Sequence, residues 1–203
     1  MYAIVENNQI TQYVNFPKSV VIGDVRYPAK IFELWSKAEK ESIGIHEIVV
    51  DQTNYKDPEY YINTDSSYTF ANNQVTESWG TATPKRLEDE NAVDQNGDPI
   101  LDEDGNQLIN FGLKTVKKKI IKEQASGLLE KTDWHNHKAL DDDTYTIPEN
   151  VKTYRANVRA KSNEMETQID ACTNVDELKA LYEYTTQEDG TQTRPLAEFP
   201  KEI

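Results

Sequence analysis

The chain has 203 residues, with 22 Lys and Arg against 36 Asp and Glu, a net charge of −14, 36% apolar residues and one cysteine. That length admits one large domain or two small ones, and an apolar share below the globular norm of about 45–50% allows only a modest core. The acid surplus argues against a nucleic-acid partner, no apolar run approaches the roughly 18–20 residues of a membrane span, and a lone Cys172 excludes a disulfide framework or a thiolate zinc cluster within one chain.

Eleven tyrosines argue against full disorder. Met1 to Gln9 has neither a basic stretch nor an apolar one, so no signal peptide is expected. Charge divides the chain: residues 1–90 carry a net −6, 91–112 a net −5 with no basic residue, 113–140 a net +4 and 141–203 a net −7.

The first half reads as short strands. Tyr2 to Val14 is two extended runs around Asn7-Asn8, and Asn tolerates the positive φ of a tight hairpin turn. Asn72-Asn73-Gln74-Val75-Thr76 repeats Asn7-Asn8-Gln9-Ile10-Thr11, predicting two hairpins of one design, by convergence on a common turn rather than duplication. Between them, Pro28 precedes Ile31, Leu34, Trp35 and Ala38 at 3-4-3 spacing. This pattern predicts one helix closed by Gly44. Ile45 to Val50 reads as a strand. Residues 1–83 are therefore expected to form a small antiparallel β unit with one helix.

Residues 84–112 read as an acidic, turn-rich linker or exposed β-ribbon. Asp94-Gln95-Asn96-Gly97-Asp98 and Asp102-Glu103-Asp104-Gly105-Asn106 are turn signals eight residues apart. A calcium loop of EF-hand type is not expected. Its glycine at position 6 would put Ala92 or Ile100 at position 1, where an oxygen ligand is needed.

Residues 113–186 read as three helices, making the whole chain α+β. The first presents Leu113, Val116, Ile120, Ile121, Gln124, Leu128 and Leu129. Thr132-Asp133-Trp134 breaks that pattern and opens a polar loop. Thr146-Ile147-Pro148-Glu149 has capping-box form, and Val151, Tyr154, Val158, Ser162, Met165 and Ile169 follow at helical spacing. Thr173-Asn174-Val175-Asp176 opens a third helix with Val175, Leu178, Leu181 and Tyr182 inward. Residues 187–203, rich in proline, read as an extended tail.

Candidate chemistry is sparse. His135 and His137 could ligate a metal with Asp133 or Asp141 to Asp143, the basis of an alternative reading as a small metal-dependent enzyme. The competing reading is a polar loop. Lys114, Lys117, Lys118, Lys119 and Lys122 form a basic patch lacking arginine and aromatics, which reads as a face attracted to acidic segments rather than to nucleic acid. Lysines in a helix's first turn oppose its dipole, hinting that an acidic partner, internal or external, covers them. Cys172 has no histidine nearby and reads as passive. No phosphate loop, nucleophile elbow or His-Glu-x-x-His motif occurs, so no catalytic group and no cofactor is expected.

Leu128-Leu129-Glu130-Lys131-Thr132-Asp133-Trp134, a variable acidic loop, Ile147-Pro148, then Tyr154-Arg155-Ala156-Asn157-Val158-Arg159 resembles the tail-assembly chaperone family of tailed bacteriophages over roughly residues 116–170. That family has a helix ending in Leu-Leu-x-x-(Ser/Thr)-Asp-Trp and, after a loop, a helix bearing Tyr-Arg-x-x-(Leu/Val)-Arg. Where it often continues Leu-Arg-Asp-(Ile/Val)-Pro, Val158-Arg159-Ala160-Lys161-Ser162 runs on as helix. The resemblance implies a non-enzymatic protein of the host cytoplasm that binds other tail, fibre or baseplate subunits, as assembly helper or as a part retained in the virion. A second copy of the chain stays open as a further partner.

In that picture Leu128, Leu129, Trp134, Asp133, Tyr154, Arg155 and Arg159 are fold or partner-binding determinants. Trp134 is expected to pack across both helices, and Asp133 to cap local N–H groups or meet Arg155. The N-terminal half is expected to contribute contacts through strand edges or aromatics.

Overall fold

The structure, a computed structural model, describes residues 1–203, which fall into two units, Met1–Thr83 and Pro84–Ile203. The protein is α+β, with strands dominating the first unit and helices the second. The linker, helical and tail segments expected separately all belong to the second unit.

In the first unit, β1 (Tyr2–Glu6) and β2 (Gln9–Val14) form the expected hairpin, followed by the small hairpin of β3 (Val20–Ile22) and β4 (Val25–Tyr27). The single helix expected next is two: α1 (Ile31–Leu34) and α2 (Lys37–Ser42). The break is a capping box, in which the Glu39 amide donates to Ser36 Oγ while the Glu39 carboxylate accepts from the Ser36 amide. Leu34, assigned to the inward stripe, is accordingly exposed. Gly44, at φ +83°, ends α2 and leads into β5 (Ile45–Asp51).

Then follow β6 (Tyr61–Ile62), β7 (Ser66–Ala71), β8 (Gln74–Trp79) and β9 (Thr83–Pro84), which pairs with β6. The main sheet runs β2-β1-β5-β8-β7. It is antiparallel, as expected, except between β5 and β8, which are parallel from Ile48↔Val75 to Asp51↔Ser78. Both Asn-Asn turns have positive φ at each residue, 52° and 61° at Asn7-Asn8 and 52° and 60° at Asn72-Asn73, as a type I′ hairpin requires. Both sheet faces are covered, which is why Ala3, Ile4 and Val5 are buried in succession. Ile4, Val14 and Ile45 pack with Val20, Ile31 and Phe32 on one face, and Ala3, Val5, Ile48 and Val75 with Ile10, Tyr68 and Phe70 on the other. The sheet curls until its outer strands approach, the rings of Tyr13 on β2 and Tyr68 on β7 lying 4.7 Å apart.

The second unit opens with β10 (Glu90–Asn91) paired to β11 (Ile109–Asn110). The stretch between them, expected as a turn-rich linker or β-ribbon, has turns at Gly97 and Gly105 and closes into a three-armed ring. The Ala92 amide donates to Leu108 O (2.8 Å), Leu108 to Ile100 O (2.9 Å) and Ile100 back to Ala92 O (3.0 Å). One arm is the Val93↔Pro99 bridge closed by the Gly97 turn, the second is Leu101↔Gln107 closed by the Gly105 turn, and the third is the β10–β11 pair. Gln107 Nε2 sits at the centre, donating to the carbonyls of Ala92 (2.7 Å), Leu108 (2.9 Å) and Ile100 (3.1 Å). Asp94 and Asp102 build the turns, each with Oδ1 accepting two backbone amides.

Four helices follow rather than three: α3 (Leu113–Glu130), α4 (Asp133–Asp141), α5 (Glu149–Ala171) and α6 (Val175–Ala180). The expected inward face of α5, Val151, Tyr154, Val158, Ser162, Met165 and Ile169, is buried throughout. No side-chain cap forms at its start, because Thr146 lies two residues before the N-cap, Pro148, whose carbonyl accepts from Val151 and Lys152. α6 is capped by Asn174, whose Oδ1 accepts from the Glu177 amide. The C-terminal segment is docked rather than a plain tail. β12 (Thr185–Thr186) and β13 (Gln192–Thr193) form a hairpin, and Leu196 is fully buried, its amide donating to Leu181 O. No helix is long and apolar enough to cross a membrane.

Candidate partner-binding site

α3 ends at Glu130, and Thr132 folds back with its amide and its Oγ1 both donating to Leu129 O, at 3.0 and 2.9 Å. Arg155, in the second turn of α5, reaches this corner with its whole fork. Nη1 donates to Leu129 O (2.8 Å) and Thr132 Oγ1 (2.7 Å), and Nη2 pairs with Asp133 Oδ1 (2.8 Å). The planar guanidinium suits three acceptors on one side of a turn. Thr132 and Arg155 are both buried. Beside them Tyr154 packs with Ala125 and Val158, against Leu128, Leu129 and Phe199. Of the two roles expected for Asp133, the pairing with Arg155 is the one observed. Arg159 is exposed, its Nη1 3.4 Å from Arg155 O.

Trp134 does not bridge the helices: it is 55% exposed. Asp133 opens α4 anchored on Arg155, and the next residue is turned about 100° around the helix, which points it away from the crossing. The indole instead stacks on His135 with ring centroids 3.7 Å apart. His135 Nδ1 is 2.5 Å from Tyr145 Oη, and Lys138 Nζ lies 4.4 Å above the Tyr145 ring. An open cleft of about 360 Å³ runs past Lys131, Trp134, His135, Pro148, Val151 and Ile203.

The residues considered as metal ligands are otherwise engaged or apart. Asp142 Oδ1 accepts from the amide and hydroxyl of Thr144, which holds its carboxyl below the usual value. His135 faces Tyr145, and no three His, Cys, Asp or Glu side chains gather to hold an ion. The stretch expected as a loop here is helix α4.

The basic patch is met from within at Lys114, Lys117 and Lys118, while Lys119 and Lys122 stay largely exposed. Glu88 Oε1 and the Asp170 carbonyl meet Lys114 Nζ at 2.5 and 3.0 Å, Lys118 pairs with Asp170 (2.7 Å) and Lys122 with Glu166 (3.2 Å). The hydrogen bond from Lys118 to Asp170 raises the lysine pKa above its usual value. Lys117, buried, sits 4.4 Å from the Tyr182 ring centroid. The inward face of α3 is thus Lys114, Lys117, Ile121 and Ala125, while Val116 and Ile120, assigned inward by spacing, are half-exposed. Long lysine stems bury as well as aliphatics when the ammonium finds a partner, and these partners lie far along the chain. Asp89 also serves the α3 N-terminus, accepting from the Gly112 amide (2.7 Å) and Thr115 Oγ1 (2.9 Å). Cys172 is buried, and burial pushes its thiol pKa up.

No protein-family model, curated protein or solved structure matches this chain.

Proposed function

We propose that the protein is a non-enzymatic binding protein of a bacteriophage tail, acting in the host cytoplasm on other tail, fibre or baseplate subunits. The observation that carries this reading is the corner built by Leu129, Thr132, Asp133 and Arg155. Thr132 and Asp133 from the first half of the motif and Arg155 from the second, Thr132 and Arg155 lying 23 positions apart, meet in one hydrogen-bonded unit. With Asp133 and Arg155 spent on holding the corner, Trp134 is left as a rigid exposed aromatic beside an open cleft, the kind of anchor that binding surfaces favour.

The test is affinity capture of the tagged full-length chain from phage-producing cells, with Trp134→Ala alongside and recovered subunits identified by mass spectrometry. Tail subunits enriched by the native chain and depleted at least tenfold by the variant are expected. Equal recovery by both, or no tail subunit with either, refutes the reading. The same measurement on purified virions separates an assembly helper from a retained part.

A further inference from the structure

Residues 195–203 run back along the helices as a strap. The Leu196 amide donates to Leu181 O (3.0 Å), the Ala197 amide to Gln168 Oε1 (2.8 Å), and Gln168 Nε2 to Pro195 O (3.0 Å). Leu196 is buried, and Phe199 packs against the cluster of Ala125, Tyr154 and Val158. Beyond Phe199 the hold changes in kind. Lys131 Nζ donates to both carboxylate oxygens of Glu202, each at 2.6 Å, and Ile203 forms part of the wall of the cleft beside Trp134. The strap thus delivers an acidic side chain and an aliphatic one, adjacent in sequence, to the cleft that Trp134 lines.

Those two residues are held lightly. The side chains of Lys131 and Glu202 are 58% and 55% exposed, and ion pairs so well wetted contribute little. Ile203 is 63% exposed. The cleft nevertheless matches what the strap brings: Lys131 supplies a cation, and Trp134, Pro148 and Val151 supply apolar surface. Because the strap is anchored as far as Phe199, Glu202 and Ile203 stay at high local concentration and return after each departure.

We infer that the cleft beside Trp134 is a site for an extended partner segment bearing a carboxylate next to an aliphatic side chain, and that Glu202 and Ile203 are its resident occupants, displaced when the partner docks. The inference rests on the proposed function for where that partner comes from, and it names what the Trp134 surface takes. Docking exchanges one exposed ion pair for another of the same kind. The strap therefore sets a threshold, since a segment lacking either group does not outcompete a tethered occupant that has both.

The test uses the full-length chain and a defined probe, the peptide Pro-Lys-Glu-Ile of residues 200–203, acetylated and amidated so that no terminal charge contributes. The probe is titrated while the Trp134 indole N–H, assigned with Trp134→Phe, is followed by NMR. Beside the native chain runs Glu202→Lys with Ile203→Asp, which takes the strap off the cleft. Both side chains are exposed, and an unchanged melting curve verifies that the variant folds. Expected is an indole signal that differs between the two chains. The probe should bind the released variant at least about tenfold more tightly than the native chain, and Lys131→Ala in the released variant should abolish that gain. An indole signal identical in the two chains, equal affinity of both for the probe, or affinity indifferent to Lys131→Ala overturns the inference. Capture of tail subunits that depends on Trp134 but does not rise when the strap is released would overturn this inference while leaving the proposed function standing. Probe binding as expected with no tail subunit captured would do the reverse.

Discussion

Arg155 Nη2 lies 2.8 Å from Asp133 Oδ1, so the second turn of α5 is tied to the first residue of α4. The same guanidinium holds the carbonyl that ends α3, and three helices converge on one buried arginine. Removing the fork deletes two hydrogen bonds inside a buried corner, to Leu129 O and Thr132 Oγ1, and leaves those two only their bond to each other, whereas removing Asp133, whose side chain is 45% exposed, leaves water to compensate.

Arg155→Lys is therefore expected to lower stability by about 1–3 kcal/mol, because an ammonium cannot serve three acceptors in one plane. Asp133→Asn is expected to cost no more than about 1 kcal/mol. Urea denaturation of the two variants checks the order, and equal losses would show that Arg155 acts only through the ion pair.

Trp134→Ala is expected to move stability by less than about 0.5 kcal/mol, since more than half the residue faces solvent and no cavity forms. Met165→Ala, at a site 1% exposed, is expected to cost about 2–5 kcal/mol. Thermal melts of both variants distinguish an indole offered to partners from one that supports the fold.

Asn8→Gly and Asn73→Gly place glycine second in each type I′ turn, where φ is 61° and 60°. Each is expected to be neutral or stabilising by up to about 1 kcal/mol, while Asn73→Val is expected to cost about 1–2 kcal/mol by forcing a β-branched residue into the left-handed region. Denaturant midpoints report the sign.

Gly44→Ala is expected to disrupt the first unit. A Cβ there would lie 2.4 Å from Val5 O, and φ is +83° besides. About 2 kcal/mol or more should be lost, read as a lowered melting temperature.

Asp94 and Asp102 ionise more readily in the folded ring than in a free chain, whose Asp value is 3.8, because backbone amides bond to their carboxylates. A depressed folded pKa means the stabilisation is complete above the unfolded value and is lost as pH falls through the folded one. NMR titration of the carboxyl carbons should put both midpoints below 3.8, with the amides of Ala92, Ile100 and Leu108 shifting in the same acid range. Midpoints at the ordinary value would contradict the turn geometry.

What was legible from the sequence was local. The Asn-Asn pairs spell their hairpins, the six-residue stripe of α5 spells its buried face, and Asp133 is expected either to cap local N–H groups or to meet Arg155. The Ser36-x-x-Glu39 capping signal that divides α1 from α2 lies inside the apolar stripe Ile31, Leu34, Trp35 and Ala38, whose spacing alone suggests one continuous helix. What could not be read depends on distant partners. Lys114 and Lys117 face inward because Glu88, Asp170 and Tyr182 meet them, and the ring closes because Leu108 returns to Ala92. Of the candidate site, the sequence offers the Asp133–Arg155 contact as one of two alternatives, while the part of Thr132 and Leu129 O in the corner and the direction of Trp134 come only from the fold.

Tyr13 and Tyr68 draw the outermost strands of the sheet toward each other. A sheet with two free borders can be extended by any passing chain, which is how strand-rich proteins stack into fibrils at high concentration. Here the two borders approach each other at the Tyr13–Tyr68 contact, which leaves less room for a foreign strand to add beside it.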